Sequence, residues 1–264
     1  MSTETTTTAA TIATRRTHEN TVTSKTNREI ESTLESNLVK IVNAVLKEIN
    51  KSDVENRVGA IDITVRPLMN SFVYATFRKH ITESYMLGIN YVTSISRLDK
   101  IPGYLTNSDI DKIKLLADSY LERFWGRISD SLKREEENED YDLTVHNITD
   151  PLAIGATNEA LNIATITKAK KFTGNFTIGD LGSKEGASTE EFSNDFLAEG
   201  FPLELPLGIE FKMEWVTAQD NRVCPICEEL SGDYSLDEFI PQPVEDSHPN
   251  CRCRLLFIEN EEVL

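Results

Sequence analysis

The residues best suited to chemistry stand close together near the end of the chain. Cys224-Pro225-Ile226-Cys227 is followed, after twenty intervening residues, by His248-Pro249-Asn250-Cys251-Arg252-Cys253, and the two strings hold all four cysteines of the protein. A C-x2-C pair lets two thiolates grip one ion from a single tight turn, and H-x2-C or C-x-C offers a second jaw from elsewhere in the chain. The spacing is close to that of zinc ribbons. Five candidates compete for a tetrahedral four: Cys224, Cys227 and Cys251 are expected as ligands, with either His248 or Cys253 completing the site. His248 and Cys251 can meet the ion from one turn, whereas Cys251 and Cys253 share a face if the backbone is extended. The expectation is one structural zinc per chain, with no catalytic residues and no organic cofactor.

Three rival readings of the cysteines are weaker. A disulfide framework needs an oxidising compartment, and the N-terminal segment lacks the apolar core of a signal peptide, although virion surfaces can oxidise. A thioredoxin-like site is excluded by space, because only 37 residues follow Cys227. A zinc deaminase requires an upstream His-x-Glu and a Pro before its Cys-x-x-Cys pair, and neither is present.

Around the cysteines several further elements occur in a fixed order: Trp215-Val216-Thr217, Asp220, Arg222-Val223-Cys224-Pro225, Leu230-Ser231-Gly232 and the His248 to Cys253 string. Together they resemble the phage Mu F-like, or head morphogenesis, family over roughly residues 211–257. Ser231 departs from the acidic residue often found there. The resemblance implies a minor head (capsid) protein of a tailed virus, located in the virion head at the portal vertex and in the host cytoplasm during assembly. It implies the portal protein and the major capsid protein as partners, with packaged DNA touched at most indirectly, and a role in head assembly or genome packaging and delivery. The alternatives are a virion-delivered nuclease or toxin-like enzyme, or a zinc-ribbon interaction module outside a virus. Against direct DNA binding, Arg252 is the only basic residue besides His248 between Cys224 and Cys253.

The neighbouring residues have structural roles first. Trp215 is expected as a core anchor beside the metal, Asp220 and Arg222 as stabilisers of the turn into Cys224, and Gly232 as a turn conformation. His18, His80 and His146 carry no motif.

A strand must lead into the site, since Phe211, Met213, Trp215 and Thr217 alternate with Lys212, Glu214 and Val216. Upstream, the pattern is helical. Residues 1–27 are Thr-rich and free of aromatics, and read as a flexible tail. From Arg28, Ile30, Leu34, Leu38, Ile41, Val45 and Ile49 recur at three or four, giving a helix that ends near Val58 and Gly59. The segment AIDITV suits a short strand or extended linker, and Pro67 the first turn of a second helix carrying Phe72, Ala75, Ile81, Tyr85 and Ile95. Thr106 to Asp109 is a capping sequence for a third helix on Ile110, Ile113, Ala117, Tyr120, Phe124, Ile128 and Leu132, with a solvated end at 133–140. Asp150-Pro151 opens a fourth, Ala-rich helix suited to close packing and reaching about Phe172. Glycines and prolines then crowd a connection with room for a short helix at 190–197.

The chain is therefore expected to be an α+β protein: a tail (1–27), a helical domain (28–172), a Gly-rich connection (173–209) and a metal-binding module of short strands and loops (210–264). Aromatic residues such as Phe72, Phe77, Tyr120, Phe124 and Trp125 exceed the needs of a single helix seam, so some are expected to face a partner. A net charge of −17 over 264 residues opposes sequence-independent binding to phosphate backbones. Short basic clusters at Arg15-Arg16 and at Lys168, Lys170 and Lys171 read as solvated surface. No apolar run approaches the roughly 20 residues of a spanning helix, so no membrane partner is expected.

Overall fold

The computed structural model describes residues 3–51, 56–95, 105–137, 144–173, 210–217, 223–248 and 251–260, with backbone alone for 3–20, 172–173, 210 and 259–260. The architecture is α+β, with long helices followed by a small sheet. Helix α1 spans Thr3–Lys51, α2 Arg57–Ala60, α3 Arg66–Ile95, α4 Asn107–Glu137 and α5 Val145–Thr173. The C-terminal part consists of β1 (Glu210–Val216), α6 (Pro225–Glu229), β2 (Gly232–Ser235) and β3 (Arg254–Asn260). These strands form an antiparallel three-stranded sheet in the order β2-β1-β3, with Met213 opposite both Tyr234 and Phe257. None of the described helices is long and apolar enough to cross a membrane.

The helices pack on apolar stripes. Leu34, Leu38, Ile41, Val42, Val45 and Ile49 bury one face of α1 against α3 and α5, joined by Phe77, Tyr120, Phe124 and Ile128. Gly88 lets α3 lie directly on α5, since a Cβ there would come within 2.5 Å of the Leu161 carbonyl oxygen. On the α5 side the contact is made by alanines, among them Ala156, Ala160 and Ala164, all buried, as the small-residue composition predicts.

Several local expectations are corrected. The segment read as a tail continues α1: Thr23 and Asn27 are buried, one helical turn apart, and Ser24 receives a hydrogen bond from Arg254. A surface far along the sequence covers this end of the helix, which composition does not reveal. The first helix does not run on to Val58 and Gly59: Asn56 is extended and caps a separate helix that begins at Arg57, its Oδ1 accepting from the Val58 and Gly59 amides. Ile61–Val65 form a single π-helical turn rather than a strand or linker, with the Arg66 amide bonded to the Ile61 carbonyl. Pro67 follows at once, and its missing N–H favours such a break in the α-helical ladder. On α3 the buried face is Val73, Phe77, Ile81 and Tyr85, so Phe72 is exposed, as is Ala75. Val73, Phe77 and Ile81 keep a strict spacing of four, which Phe72 does not share.

Helix α4 begins as the sequence predicts. Asp109 Oδ2 accepts from the Thr106 amide at 2.9 Å, Thr106 Oγ1 accepts from the Asp109 amide at 3.3 Å, and Asp109 Oδ1 also takes the buried Tyr85 hydroxyl at 2.8 Å. Helix α5, by contrast, begins at Val145 and carries Pro151 inside it. The Asn147 carbonyl, which loses its usual partner four residues on, lies 3.4 Å from Arg127 Nη1. The 174–209 connection, including the short helix expected at 190–197, lies outside the described residues.

Candidate metal centre

The C-terminal elements enclose the cysteines. β1 presents Met213 and Trp215 to the interior, as its period-two pattern predicts, and Trp215 is buried in a cluster with Cys227, Cys251, Cys253, Leu255 and Phe257. Trp215 is thus the core anchor expected of it. Cys224 caps α6, its Sγ accepting from the Cys227 amide at 3.3 Å, with Pro225 in the first turn. Gly232 has φ +148°, a backbone that residues with a side chain rarely adopt, and it starts β2 immediately after the α6 turn. Asp220 and Arg222 lie outside the described residues.

All four cysteines are present as thiols, and the fold brings them together with His248. Cys224, Cys227 and His248 form one group, and Cys227, Cys251 and Cys253 another; within each, the donor atoms lie no more than 4.8 Å apart. Cys227 belongs to both. Its Sγ is 3.4 Å from His248 Nε2 and 3.7 Å from Cys251 Sγ. Thiolates about 2.3 Å from a tetrahedral ion stand roughly 3.8 Å apart, so the spacing and the soft donor set both fit a bound metal. Cys251 and Cys253 are buried and the intervening Arg252 is exposed, which is the alternation of an extended C-x-C jaw with both sulfurs on one face.

The environment separates the thiols. A hydrogen bond from the Cys253 side chain, with others from Ser247 and from the Cys253 and Val244 backbone, holds Cys251 down to about 5 against the opposing effect of burial. Burial, followed by the hydrogen bond with Cys224, pushes Cys227 up to about 12. Two neighbouring thiols are thus pushed in opposite directions, and a metal bound here would take the place of their protons. Val244, with φ +80°, is the one described non-glycine residue of positive φ, and its amide donates to Ser247 Oγ at 3.1 Å. That strained turn aims donors at Cys251.

Two residues that hold the cluster's backbone carry no sequence signal of their own. Asn158 on α5 donates from Nδ2 to the Cys251 and Cys253 carbonyls, each at 2.9 Å, and Asn162 one turn later accepts from the Leu255 amide at 3.0 Å. Their four-residue spacing inside an Ala-rich helix marks a shared face, but only the fold shows what that face grips.

The other histidines fall elsewhere. His80 is buried; burial lowers its pKa, and Asn37 Nδ2 donates to its Nε2 at 3.3 Å. His146 Nδ1 lies between Glu35 at 3.2 Å and Asp150 at 3.3 Å. His146, Glu35 and Asp150 could also group around a cation, but they are open to solvent, and the contact of His146 with Glu35 already ties α5 to α1. The side chain of His18 lies outside the described residues.

No family model, curated protein or solved structure matches this chain.

Proposed function

We propose that this protein is a structural component of a tailed-virus head, a minor head protein acting near the portal vertex, in which one zinc ion staples the C-terminal module to the helices. The observation that carries the reading is the ordered string from Trp215 to Cys253, whose cysteines and His248 fall into two donor groups joined by the buried Cys227. Burial of Cys227, Cys251 and Cys253 favours a closed structural site over an open catalytic one. Zinc suits donors that are sulfur and imidazole, and a small module gains from a metal what its short core does not supply. In this reading the portal and the major capsid protein are the partners, assembly takes place in the host cytoplasm, and the protein remains in the virion without catalysing turnover.

The assembly role is tested by co-expressing the protein with the portal and major capsid proteins encoded beside it and purifying the heads. The reading expects co-purification with portal and defective heads when the protein is omitted. Heads that form and package DNA normally without it, with no co-purification, overturn the role. Elemental analysis of protein prepared under reducing conditions without chelator tests the metal separately, with one zinc per chain expected.

A further inference from the structure

The C-x-C jaw is held from outside its own module as well as from within it, where the Cys251 amide donates to the His248 carbonyl at 2.9 Å. In an extended segment the carbonyls of alternate residues point the same way, as do the side chains of those residues. Asn158 Nδ2 has two hydrogens, and it donates to the Cys251 and Cys253 carbonyls, both at 2.9 Å. One side chain therefore sets the distance and direction of two candidate ligands at once. The grip is itself supported: Asn162 Nδ2 donates to the Asn158 carbonyl at 2.8 Å, while Asn162 Oδ1 accepts from the Leu255 amide at 3.0 Å. Both asparagines are buried, so no water competes for these bonds.

We infer that Asn158, backed by Asn162, is a positioning residue of the metal centre, so that helix α5 presents the Cys251-Cys253 jaw and metal affinity is coupled to the helical bundle. The inference rests on the reading of the cluster as a metal site. Removing Asn158 leaves Cys251 and Cys253 chemically intact but frees the backbone that aims them. Outer-shell partners of this kind typically change metal affinity by about 10- to 100-fold when removed. The coupling is reciprocal: a metal that depends on α5 must also protect α5.

The test uses the full chain, with zinc affinity measured by competition against a chromophoric chelator and cobalt(II) substitution used to read the ligand field. Asn158→Ala is expected to bind zinc about 10- to 100-fold more weakly and to shift the cobalt bands. Phe124→Leu, a core substitution in the bundle away from the cluster, supplies a variant of lowered stability whose affinity and cobalt spectrum should match the wild type. Equal affinity and an unchanged spectrum in a folded Asn158→Ala variant overturn the inference. A wild-type protein that binds no zinc overturns instead the metal reading on which it rests. Hydrogen exchange on the wild type requires no variant: stripping the metal should deprotect both the Leu255 amide and residues 155–165 of α5. Deprotection confined to the C-terminal module shows that the bundle does not take part, and the inference falls.

Discussion

Arg252 places Nη2 3.1 Å from Glu31 Oε1, across 221 positions of sequence. The exposed residue between two candidate metal ligands thus reaches the helix that begins the chain, and Arg254 extends the contact to Ser24. Burial raises the pKa of Glu31, and the opposing attraction of Arg252 is the smaller effect. With the folded value above the unfolded one, the native state binds the extra proton, and this carboxyl's contribution declines as pH rises through its titration range. The two partners are therefore unequal. Glu31→Gln should change stability by no more than about 0.5 kcal/mol at neutral pH. Arg252→Ala strands a half-buried carboxylate and should cost roughly 1 kcal/mol after allowance for solvent screening. Urea unfolding of both variants decides the order, and equal effects contradict it.

Glu159 makes a second pH prediction. Its carboxylate accepts from the buried Tyr120 hydroxyl at 2.6 Å and faces Arg123 at 3.4 Å, yet burial outweighs both and raises its pKa. The sign is the same: the folded chain holds a proton that the unfolded chain releases, so ionising Glu159 weakens the native state as pH rises. Glu159→Gln keeps an acceptor for Tyr120 and removes the buried charge. The variant should gain on the wild type at pH 7 to 8, and the gain should shrink as pH falls through the range in which Glu159 protonates. Thermal unfolding across pH measures it; a gain that grows in acid reverses the sign and defeats the account.

The cysteine cluster was legible because a thiol pair in one turn is local chemistry, written in the spacing of Cys224 and Cys227 and of Cys251 and Cys253. The stripes of α1 and α4 were legible for the same reason, since Leu34, Leu38 and Val45 or Ile113, Tyr120 and Phe124 repeat with the helix. What the sequence hid is contact at a distance. Nothing in a Thr-rich segment says that Arg254 will bond Ser24, nor does an Ala-rich helix announce that Asn158 will hold two cysteine carbonyls. Aromatic count misled in part: Phe77, Tyr120, Phe124 and Trp125 are all buried, and Phe72 alone of those five is exposed. The sequence also suggested a module separate from the helices. Yet Tyr91 and Val92 of α3 and Ile166 and Ala169 of α5 share its hydrophobic cluster.

That shared core changes what metal removal should do. A module independent of the bundle would melt alone on chelation, leaving the helical signal intact. With Tyr91, Val92, Ile166 and Ala169 inside its core, the loss should reach α3 and α5. At free zinc 100-fold above its dissociation constant, linkage stabilises the native state by about 2.7 kcal/mol. Chelator should therefore lower the main helical melting transition, followed at 222 nm, rather than remove a small separate one. The Cys227→Ser variant should mimic the chelated protein, since Cys227 belongs to both ligand groups. A helical transition indifferent to both treatments would show that the two parts are energetically separate.

The last prediction concerns two helical glycines with opposite surroundings. At Gly88 a Cβ would stand 2.5 Å from the Leu161 carbonyl oxygen and 2.8 Å from Ala164 Cβ, so the obstacle is the backbone of α5 and not a side chain that can turn away. Gly88→Ala must push α3 and α5 apart, and overpacking of this kind costs about 1–3 kcal/mol. At Gly126, exposed on α4, an added Cβ meets nothing within 4 Å, so alanine there supplies helix propensity without a clash. Gly126→Ala should stabilise by about 0.5–1 kcal/mol. The pair also probes the candidate metal centre, because Leu161 lies on α5 between Asn158, which grips the C-x-C jaw, and Asn162, which supports Asn158 and takes the Leu255 amide. Displacing that turn should weaken zinc binding in Gly88→Ala, while Gly126→Ala leaves it unchanged. Chemical denaturation and zinc competition on both variants give the result, and a Gly88→Ala protein as stable and as metal-avid as the wild type would refute the close packing of α3 on α5.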